Sequence, residues 1–122
     1  MKYLLDSVIL IDHLNGREEA SAFLSAHQHE SALSAVTWSE VLHPLEGKAE
    51  EAVVHGLEKM AFLPIGKEVA RSAAALSRRH GWKLPDAYQA ALAQHHRLRL
   101  VTRNTKDFKP QRHPFVHVPY HL

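Results

Sequence analysis

Short apolar segments alternate with helical segments along almost the whole chain, and this alternation is the feature that most constrains the fold. Runs of apolar or small residues predict strands at residues 2–5, 31–36, 62–65 and 98–101. A fifth strand could form at residues 115–118. Helical periodicity predicts helices at residues 7–14, 18–27, 37–45, 49–60, 67–80 and 86–96. Strands that alternate with helices predict an α/β domain of three layers, with helices on both sides of a mainly parallel central sheet of four to five short strands.

The length and composition fit one folded domain. The chain has 122 residues, of which 45% are hydrophobic and 23% charged, so we expect a single domain over residues 1–122. There is no cysteine, which excludes disulfides, thiol catalysis and cysteine-based metal sites. The apolar stretch near the N-terminus is short and interrupted by Asp6 and Asp12, unlike a signal peptide or a membrane span. We therefore expect a cytoplasmic protein that does not enter a membrane.

The charges are divided unequally between the two halves of the chain. Residues 1–65 carry four Lys or Arg and ten Asp or Glu, whereas residues 66–122 carry eleven and three. An asymmetry of this kind predicts an acidic region beside a separate basic surface. A basic surface is suited to a polyanionic partner, although a solvated surface without any partner has the same composition.

Acidic and amide residues follow several of the predicted strands. Asp6 comes directly after the first strand, and Glu40 lies in the first predicted turn of the helix after the second. Asn104 and Asp107 follow the fourth strand, and Asp86 opens a helix after a loop. The carboxyl ends of parallel strands meet at one edge of a sheet, where the loops form a ligand crevice. We therefore expect these residues to approach one another, Asp86 among them if its loop returns to that edge.

Each of these residues also has a simpler interpretation as a helix cap. An Asp at the start of a helix accepts a backbone N–H, which would explain Asp6 and Asp86 individually. Residues 37–40 have the form of a capping box, and residues 104–107 have a looser version. Capping does not, however, predict that the acids meet in one crevice.

A cluster of carboxylates requires cations. Two carboxylates about 4 Å apart repel by roughly 4 kcal/mol at an effective dielectric constant of about 20. Oxygen ligands without cysteine favour Mg²⁺ or Mn²⁺ over Zn²⁺. A divalent metal in an acidic pocket beside a basic surface suits phosphodiester hydrolysis, because the metal neutralises the phosphate and activates a bound water.

Four segments of the chain resemble a known protein family at these residues. They are LLDSVILIDHL (4–14), SAVTWSEVL (34–42), LPDAYQAALAQ (84–94) and LVTRNTKDF (100–108). Their order and spacing are similar to those of the PIN-domain ribonucleases, and within them of the VapC-type toxins of toxin–antitoxin pairs. The resemblance implies a PIN-like α/β fold, endoribonuclease activity that depends on Mg²⁺ or Mn²⁺, and a homodimer that a VapB-type antitoxin protein neutralises. It also implies a structured RNA substrate, such as a transfer RNA or a ribosomal RNA loop, cleaved by metal-activated water.

The resemblance also assigns the acidic positions. Asp6, Glu40 and Asp86 match the three acidic metal-site positions of the family, so they are the expected catalytic and metal-binding residues. Asn104 stands where the family often has Asp, and Asp107 lies three residues further on. Either residue could complete the metal site, with Asp107 also a candidate for catalysis.

Other polar residues near these motifs could support the site. Ser7 keeps the hydroxyl of the Thr that is usual in the family, whereas Val8 replaces a residue that is commonly polar. Thr102 could orient water or a ligand, and His43 lies three residues after Glu40 on the same helix. Asp12 is expected to face solvent or a partner. The candidates for binding the RNA backbone are the basic residues Arg78, Arg79, Lys83, Arg97, Arg99, Arg103 and Lys106.

The sequence leaves a second function open. A module of the same fold could bind RNA or an antitoxin without turnover. The uncharged Asn104 and the apolar Val8 are the residues that favour this alternative. The two functions differ in one observation, since replacing an acid abolishes growth inhibition only if catalysis causes it.

Overall fold

A parallel sheet of five strands forms the centre of the protein, in a computed structural model that describes residues 1–122. The strands are β1 (Tyr3–Leu5), β2 (Ser31–Ser34), β3 (Ala61–Leu63), β4 (Arg99–Val101) and β5 (Val116–His117). The helices are α1 (Ser7–Leu14), α2 (Glu18–His27), α3 (Ala35–Leu42), α4 (Gly47–Leu57), α5 (Lys67–His80) and α6 (Leu84–His95). The predicted α/β architecture with a mainly parallel sheet is confirmed, and all pairings prove to be parallel.

The strand order places β1 at the centre of the sheet. The order is β3-β2-β1-β4-β5, so β1 pairs with β2 on one side and with β4 on the other. Tyr3 lies opposite both Ser31 and Arg99, and Leu5 lies opposite Val101. All strands end at the same edge of the sheet, here called the carboxyl edge. β3, which is followed by Pro64, is an edge strand.

Alternating side chains of the sheet enter two separate cores. On β1, Leu4 belongs to a core with residues of α5 and α6, whereas Tyr3 and Leu5 belong to a core with residues of α1, α2, α3 and α4. This alternation follows from the two-residue period of a strand. The helices therefore cover both faces, which is why the strands read as continuous apolar runs in the sequence.

Helices α3, α4 and α6 each begin two residues earlier than predicted, and local chemistry explains the start of α3 and of α6. The hydroxyl of Ser34 accepts the N–H of Thr37 and caps α3, so β2 ends at Ser34 and the helix begins at Ala35. Helix α6 begins at Leu84 because the first helical turn tolerates Pro85, whose missing N–H is not needed there. As predicted, α5 ends at Gly81, which has the left-handed φ of +71°. None of the helices is long and apolar enough to cross a membrane.

Candidate active site

Asp6 lies at the end of the central strand and begins helix α1. Its carboxylate is 7% exposed and is held from two sides: Oδ1 accepts the N–H of Ser7 at 2.8 Å, and Oδ2 accepts the hydroxyl of Thr102 at 2.7 Å. Burial raises the pKa of Asp6, and the negative charge of Glu40 adds to this rise. Hydrogen bonds, the strongest of them from Thr102, oppose it. Asp6 is therefore a cap, as its position in the sequence suggested, but one whose charge is poorly solvated.

Glu40 approaches Asp6 through Ser7. The Ser7 hydroxyl donates to Glu40 Oε1 at 2.9 Å, across 33 positions of sequence. Glu40 itself is exposed. The prediction that Glu40 lies in the first turn of its helix is wrong, because α3 begins at Ala35 and Glu40 falls in the second turn.

Asp86 lies in the first turn of α6 and faces the other acids. Burial raises its pKa from 3.8 to about 6, and the negative charges of Asp6, Asp107 and Glu40 add to the rise. Lys83, one turn earlier, opposes it. The loop before α6 therefore returns Asp86 to the carboxyl edge, within electrostatic reach of the three other carboxylates. The prediction that Asp86 begins α6 is wrong, because the helix starts two residues earlier, at Leu84.

Asn104 and Asp107 are hydrogen-bonded to each other in the turn after β4. Asn104 Nδ2 donates to Asp107 Oδ2 at 3.0 Å, and the Asp107 N–H donates to Asn104 Oδ1 at 3.4 Å. The Asn104 N–H donates to the hydroxyl of Thr102 at 3.0 Å, and that hydroxyl in turn donates to Asp6. The indole N–H of Trp82 donates to the Asp107 carbonyl at 3.1 Å. This reciprocal pair matches the looser capping box in the sequence, although no helix follows it.

The donor set fits a hard divalent cation. The acidic residues at the carboxyl edge provide only oxygen ligands, which suits Mg²⁺ or Mn²⁺. The pKa of Asp86 is raised chiefly by burial, and the three neighbouring carboxylates add more to this rise than Lys83 takes away. No three His, Cys, Asp or Glu side chains lie close enough to form a complete metal site without rearrangement. The carboxylates thus lie within electrostatic reach of one another at the carboxyl edge without meeting at one point, and we call this region the acidic crevice.

The predicted basic residues are distributed over more than one part of the surface. Lys83 lies beside Asp86, and Lys106 is exposed next to Asp107, so both are near the acids. Arg97 and Arg99 precede or begin β4, which places them at the opposite edge of the sheet from the acids. Arg99 also donates to the Val116 carbonyl at 3.3 Å. Arg78 and Arg79 are exposed in the last turn of α5.

Asp12 corrects an expectation. It is 5% exposed and accepts two hydrogen bonds from Arg103, at 2.6 and 2.9 Å, and one from the Tyr120 hydroxyl, at 2.7 Å. The prediction that Asp12 faces solvent or a partner is wrong, because two distant polar side chains compensate its burial. Two donor groups of Arg103, a predicted RNA contact, are therefore engaged within the fold.

His43, which was predicted to support the site from the same helix as Glu40, is exposed at the end of α3.

Three buried polar residues beneath the carboxyl edge were missed by sequence reasoning. They are Ser34, Thr37 and Gln89, each no more than 1% exposed and all hydrogen-bonded to one another. The sequence spacing between two of these residues and the predicted acids could have indicated them. Thr37 lies three residues before Glu40 and Gln89 three residues after Asp86, so each shares a helix face with an acid.

Comparison with known proteins identifies relatives of the whole chain. A family model described as "PIN domain" matches residues 3–111. A solved toxin–antitoxin complex from Klebsiella pneumoniae contains a chain that is 38% identical, with a TM-score of 0.90, and the match covers 99% of this chain and 100% of that one. FitAcB from Neisseria gonorrhoeae contains a chain with 27% identity and a TM-score of 0.75, over 98% of this chain and 99% of that one. DNA-bound VapBC from Salmonella typhimurium, at 22% identity and a TM-score of 0.75 over 96% of both chains, shares the fold. A search of curated proteins found no match.

Proposed function

The chain belongs to the PIN domain family, and on that premise we propose that it is a metal-dependent endoribonuclease that acts as the toxin of a toxin–antitoxin pair. The observation that carries this proposal is the electrostatic coupling of Asp86 to Asp6, Asp107 and Glu40 at the carboxyl edge of the sheet. Capping alone would not bring carboxylates from four separate segments within reach of one another. A half-buried carboxylate with three other carboxylates within electrostatic reach is suited to binding a divalent cation.

Mg²⁺ or Mn²⁺ is the proposed cofactor, with Asp6, Glu40, Asp86 and Asp107 as the catalytic and metal-binding side chains. Asn104 offers a neutral amide oxygen next to Asp107, with which its own amide is paired. When bound, the metal supplies charge neutralisation at the phosphate and lowers the pKa of a water that attacks it. Ser7 and Thr102 hold Glu40 and Asp6 by hydrogen bonds at 2.9 and 2.7 Å, which orients these carboxylates before any ligand arrives.

The proposed substrate is a structured RNA, such as a transfer RNA or a ribosomal RNA loop. Lys83 and Lys106 are exposed beside Asp86 and Asp107, where a phosphate group would approach the acids. The other predicted contacts, Arg78, Arg79, Arg97, Arg99 and Arg103, would bind the backbone further away, and Arg103 would do so only with donor groups that Asp12 leaves free. A backbone contact contributes affinity that falls as salt rises.

The proposed partners are a VapB-type antitoxin protein and a second copy of the chain. The chain that is 38% identical belongs to a toxin–antitoxin complex, and the match extends over nearly the full length of both chains. This full-length likeness supports a toxin of the same kind, regulated by a protein partner. The homodimer is proposed from the family resemblance.

A second candidate function is a binding module of the same fold that lacks turnover. Two observations favour it: no three acidic side chains form a complete metal site, and the uncharged Asn104 pairs with Asp107. Such a module would bind RNA or an antitoxin through the same surfaces. It would not depend on the charge of Asp86 for its effect in cells.

Induced expression in bacteria separates the two candidates. We expect the wild-type chain to arrest growth, and Asp86→Asn to lose this effect at equal soluble protein level. The matched control is Glu68→Gln, which also changes an acid in the first turn of a helix but lies on α5 away from the crevice. Growth arrest by both variants would favour the binding module. A soluble wild-type chain without effect on growth would overturn the assignment as a toxin.

A further inference from the structure

Three polar side chains are buried directly beneath the acidic crevice, where an apolar core would be expected. Ser34 and Thr37 are fully buried and Gln89 is 1% exposed. Burying polar groups costs free energy unless each one is hydrogen-bonded. Their presence therefore calls for a set of partners, and the structure provides one.

These side chains form a continuous hydrogen-bond network. Ser34 Oγ donates to Gln89 Oε1 at 2.8 Å, and Gln89 Nε2 donates to Thr37 Oγ1 at 2.7 Å. Thr37 Oγ1 donates to the carbonyl of Leu5 at 3.0 Å, and the Thr37 N–H donates to Ser34 Oγ at 3.0 Å. We call the side chains of Ser34, Thr37 and Gln89 the buried triad, which is bonded to the Leu5 carbonyl through Thr37. Three of these bonds link residues 32 to 55 positions apart in sequence.

The triad connects the three segments that carry Asp6, Glu40 and Asp86. The Leu5 carbonyl belongs to the peptide bond that leads into Asp6. Thr37 precedes Glu40 by three residues on α3. Gln89 follows Asp86 by three residues on α6. Residues three apart on a helix lie on the same face, so the triad fixes how α3 and α6 are rotated about their axes relative to β1.

Stability alone does not explain why these buried positions hold polar residues. Well-packed apolar residues of similar volume are often at least as stabilising as a buried polar group, whereas hydrogen bonds have distance and angle requirements that apolar contacts lack. A satisfied buried network can therefore specify one relative placement of the elements that it joins. Here, the three elements it joins are those that carry Asp6, Glu40 and Asp86.

We propose that Ser34, Thr37 and Gln89 are positioning residues that set the spacing of Asp6, Glu40 and Asp86, and through that spacing the affinity of the crevice for a divalent cation. This inference rests on the proposed metal-dependent function. Side chains that orient metal ligands through hydrogen bonds typically change metal affinity by about 10- to 100-fold when they are removed. The triad acts on the backbone elements that carry the ligands, and we expect an effect at the lower end of that range.

The test is a titration of the purified full chain with Mn²⁺, followed by the electron paramagnetic resonance signal of the free ion. Gln89→Leu and Thr37→Val remove hydrogen bonds while keeping similar side-chain volumes. We expect each to weaken Mn²⁺ binding by about tenfold. Thr37→Ser keeps the hydroxyl that the triad needs, and we expect it to restore binding to within about twofold of the wild-type affinity.

Ser31→Ala is the matched control, because Ser31 lies on the same strand as Ser34 and is equally buried. Its hydroxyl donates to the His27 carbonyl at 2.8 Å, at the opposite end of β2 from the crevice. We expect Ser31→Ala to lower the midpoint of urea unfolding without changing the Mn²⁺ affinity. Comparing it with the triad variants separates loss of stability from loss of positioning.

The outcomes separate this inference from the proposed function. Unchanged Mn²⁺ affinity in both Gln89→Leu and Thr37→Val would overturn the positioning role alone. Weakened binding in these variants, together with a wild-type chain that cleaves no RNA, would support the triad and count against the nuclease. A wild-type chain that binds no Mn²⁺ would overturn both. If Gln89→Leu fails to fold, the comparison of Thr37→Val with Thr37→Ser still decides the question.

Discussion

Asp12 and Arg103 lie 91 positions apart in the chain and form an ion pair with two contacts, from Arg103 Nε to Asp12 Oδ2 at 2.6 Å and from Nη2 to Oδ1 at 2.9 Å. Arg103 directly follows Thr102, whose hydroxyl holds Asp6, and Asp12 lies on the helix that Asp6 begins. The pair therefore fixes the loop after β4 against α1, next to the candidate active site. A two-contact pair between Arg and a carboxylate is among the stronger and more directional interactions in proteins.

We predict that Arg103→Gln lowers the free energy of unfolding by about 3 kcal/mol. The variant leaves the buried Asp12 carboxylate with one hydrogen-bond donor, Tyr120, and with the more distant Arg17, whose Nε lies 3.9 Å from Asp12 Oδ2. Urea denaturation of the variant would measure the loss. The matched control is Arg79→Gln, which changes an exposed Arg without an ion pair and should cost less than 1 kcal/mol. Equal stability of the two variants would show that the pair does not hold this loop.

The same pair gives the fold a dependence on acid. Hydrogen bonds from Arg103 hold the pKa of Asp12 below its usual value, so the ionised form favours the folded state. This stability is present above about pH 4 and is lost as the pH falls through the lowered pKa of Asp12. We predict that the wild-type chain loses stability over this range, and that Asp12→Asn loses less of its own. Parallel losses in both chains, measured by urea denaturation, would contradict the assignment.

Asp86 should make metal binding sensitive to pH in a higher range. Its pKa is raised to about 6, chiefly by burial, so protons compete with a cation for this carboxylate as the pH falls through 6. We predict that the Mn²⁺ affinity of the wild-type chain decreases between pH 7 and pH 5, as measured by titration at each pH. Glu68→Gln, whose change lies outside the crevice, should give the same profile. An affinity that stays constant over this range would contradict a role for Asp86 as a ligand.

Removing the charge of Asp86 should not harm the fold. A raised pKa means that the neutral form favours folding: the contribution of Asp86 to stability is greatest below pH 3.8 and is lost as the pH rises through about 6. We therefore predict that metal-free Asp86→Asn is at least as stable as the wild-type chain at pH 7.5, by thermal unfolding. Added Mn²⁺ should raise the melting temperature of the wild type and not that of the variant. A clearly less stable variant would indicate that Asp86 serves mainly as a helix cap.

Asn104 offers a test of the neutral position in the crevice. Asn104→Asp loses the donor to Asp107 Oδ2 and places a second negative charge beside that carboxylate. We predict that the variant is less stable than the wild type without metal, by about 1 kcal/mol, and binds Mn²⁺ more tightly. Asn15→Asp, at the exposed end of α1, is the control and should change neither property by a similar amount. Unchanged Mn²⁺ affinity in Asn104→Asp would place residue 104 outside the metal site.

The element order could be predicted from the sequence because it depends on local periodicity. The buried strands appear as short apolar runs, and the helix predicted over residues 67–80 has the same bounds as α5 in the structure. The boundaries that were missed depend on local chemistry that competes with periodicity. Ser34 is the last residue of β2 and also the N-cap of α3. Its hydrogen bond from the Thr37 N–H sets this boundary, and the apolar pattern of the sequence does not reveal that bond.

The acids and their partners differ in how far the sequence could reveal them. Asp6 and Glu40 could be placed at one edge because the carboxyl ends of parallel strands converge, whereas the place of Asp86 depended on the course of the loop before α6. The environment of Asp12 could not be predicted, since its partners Arg103 and Tyr120 lie 91 and 108 positions away. The contact between Gln89 and Ser34, 55 positions apart, is tertiary in the same sense. From the sequence alone, a polar residue on a helix is predicted to be exposed. Its burial becomes evident only when the element packed against it is known.

The most direct test of the proposed metal-dependent nuclease is cleavage of a total small-RNA preparation by the purified chain. The reaction is run with Mg²⁺, with Mn²⁺ and with EDTA, beside Asp86→Asn. We predict discrete fragments that require a metal, disappear with EDTA and are absent with the variant. A folded wild-type chain that shifts RNA in a gel but cleaves none with either metal would contradict this prediction.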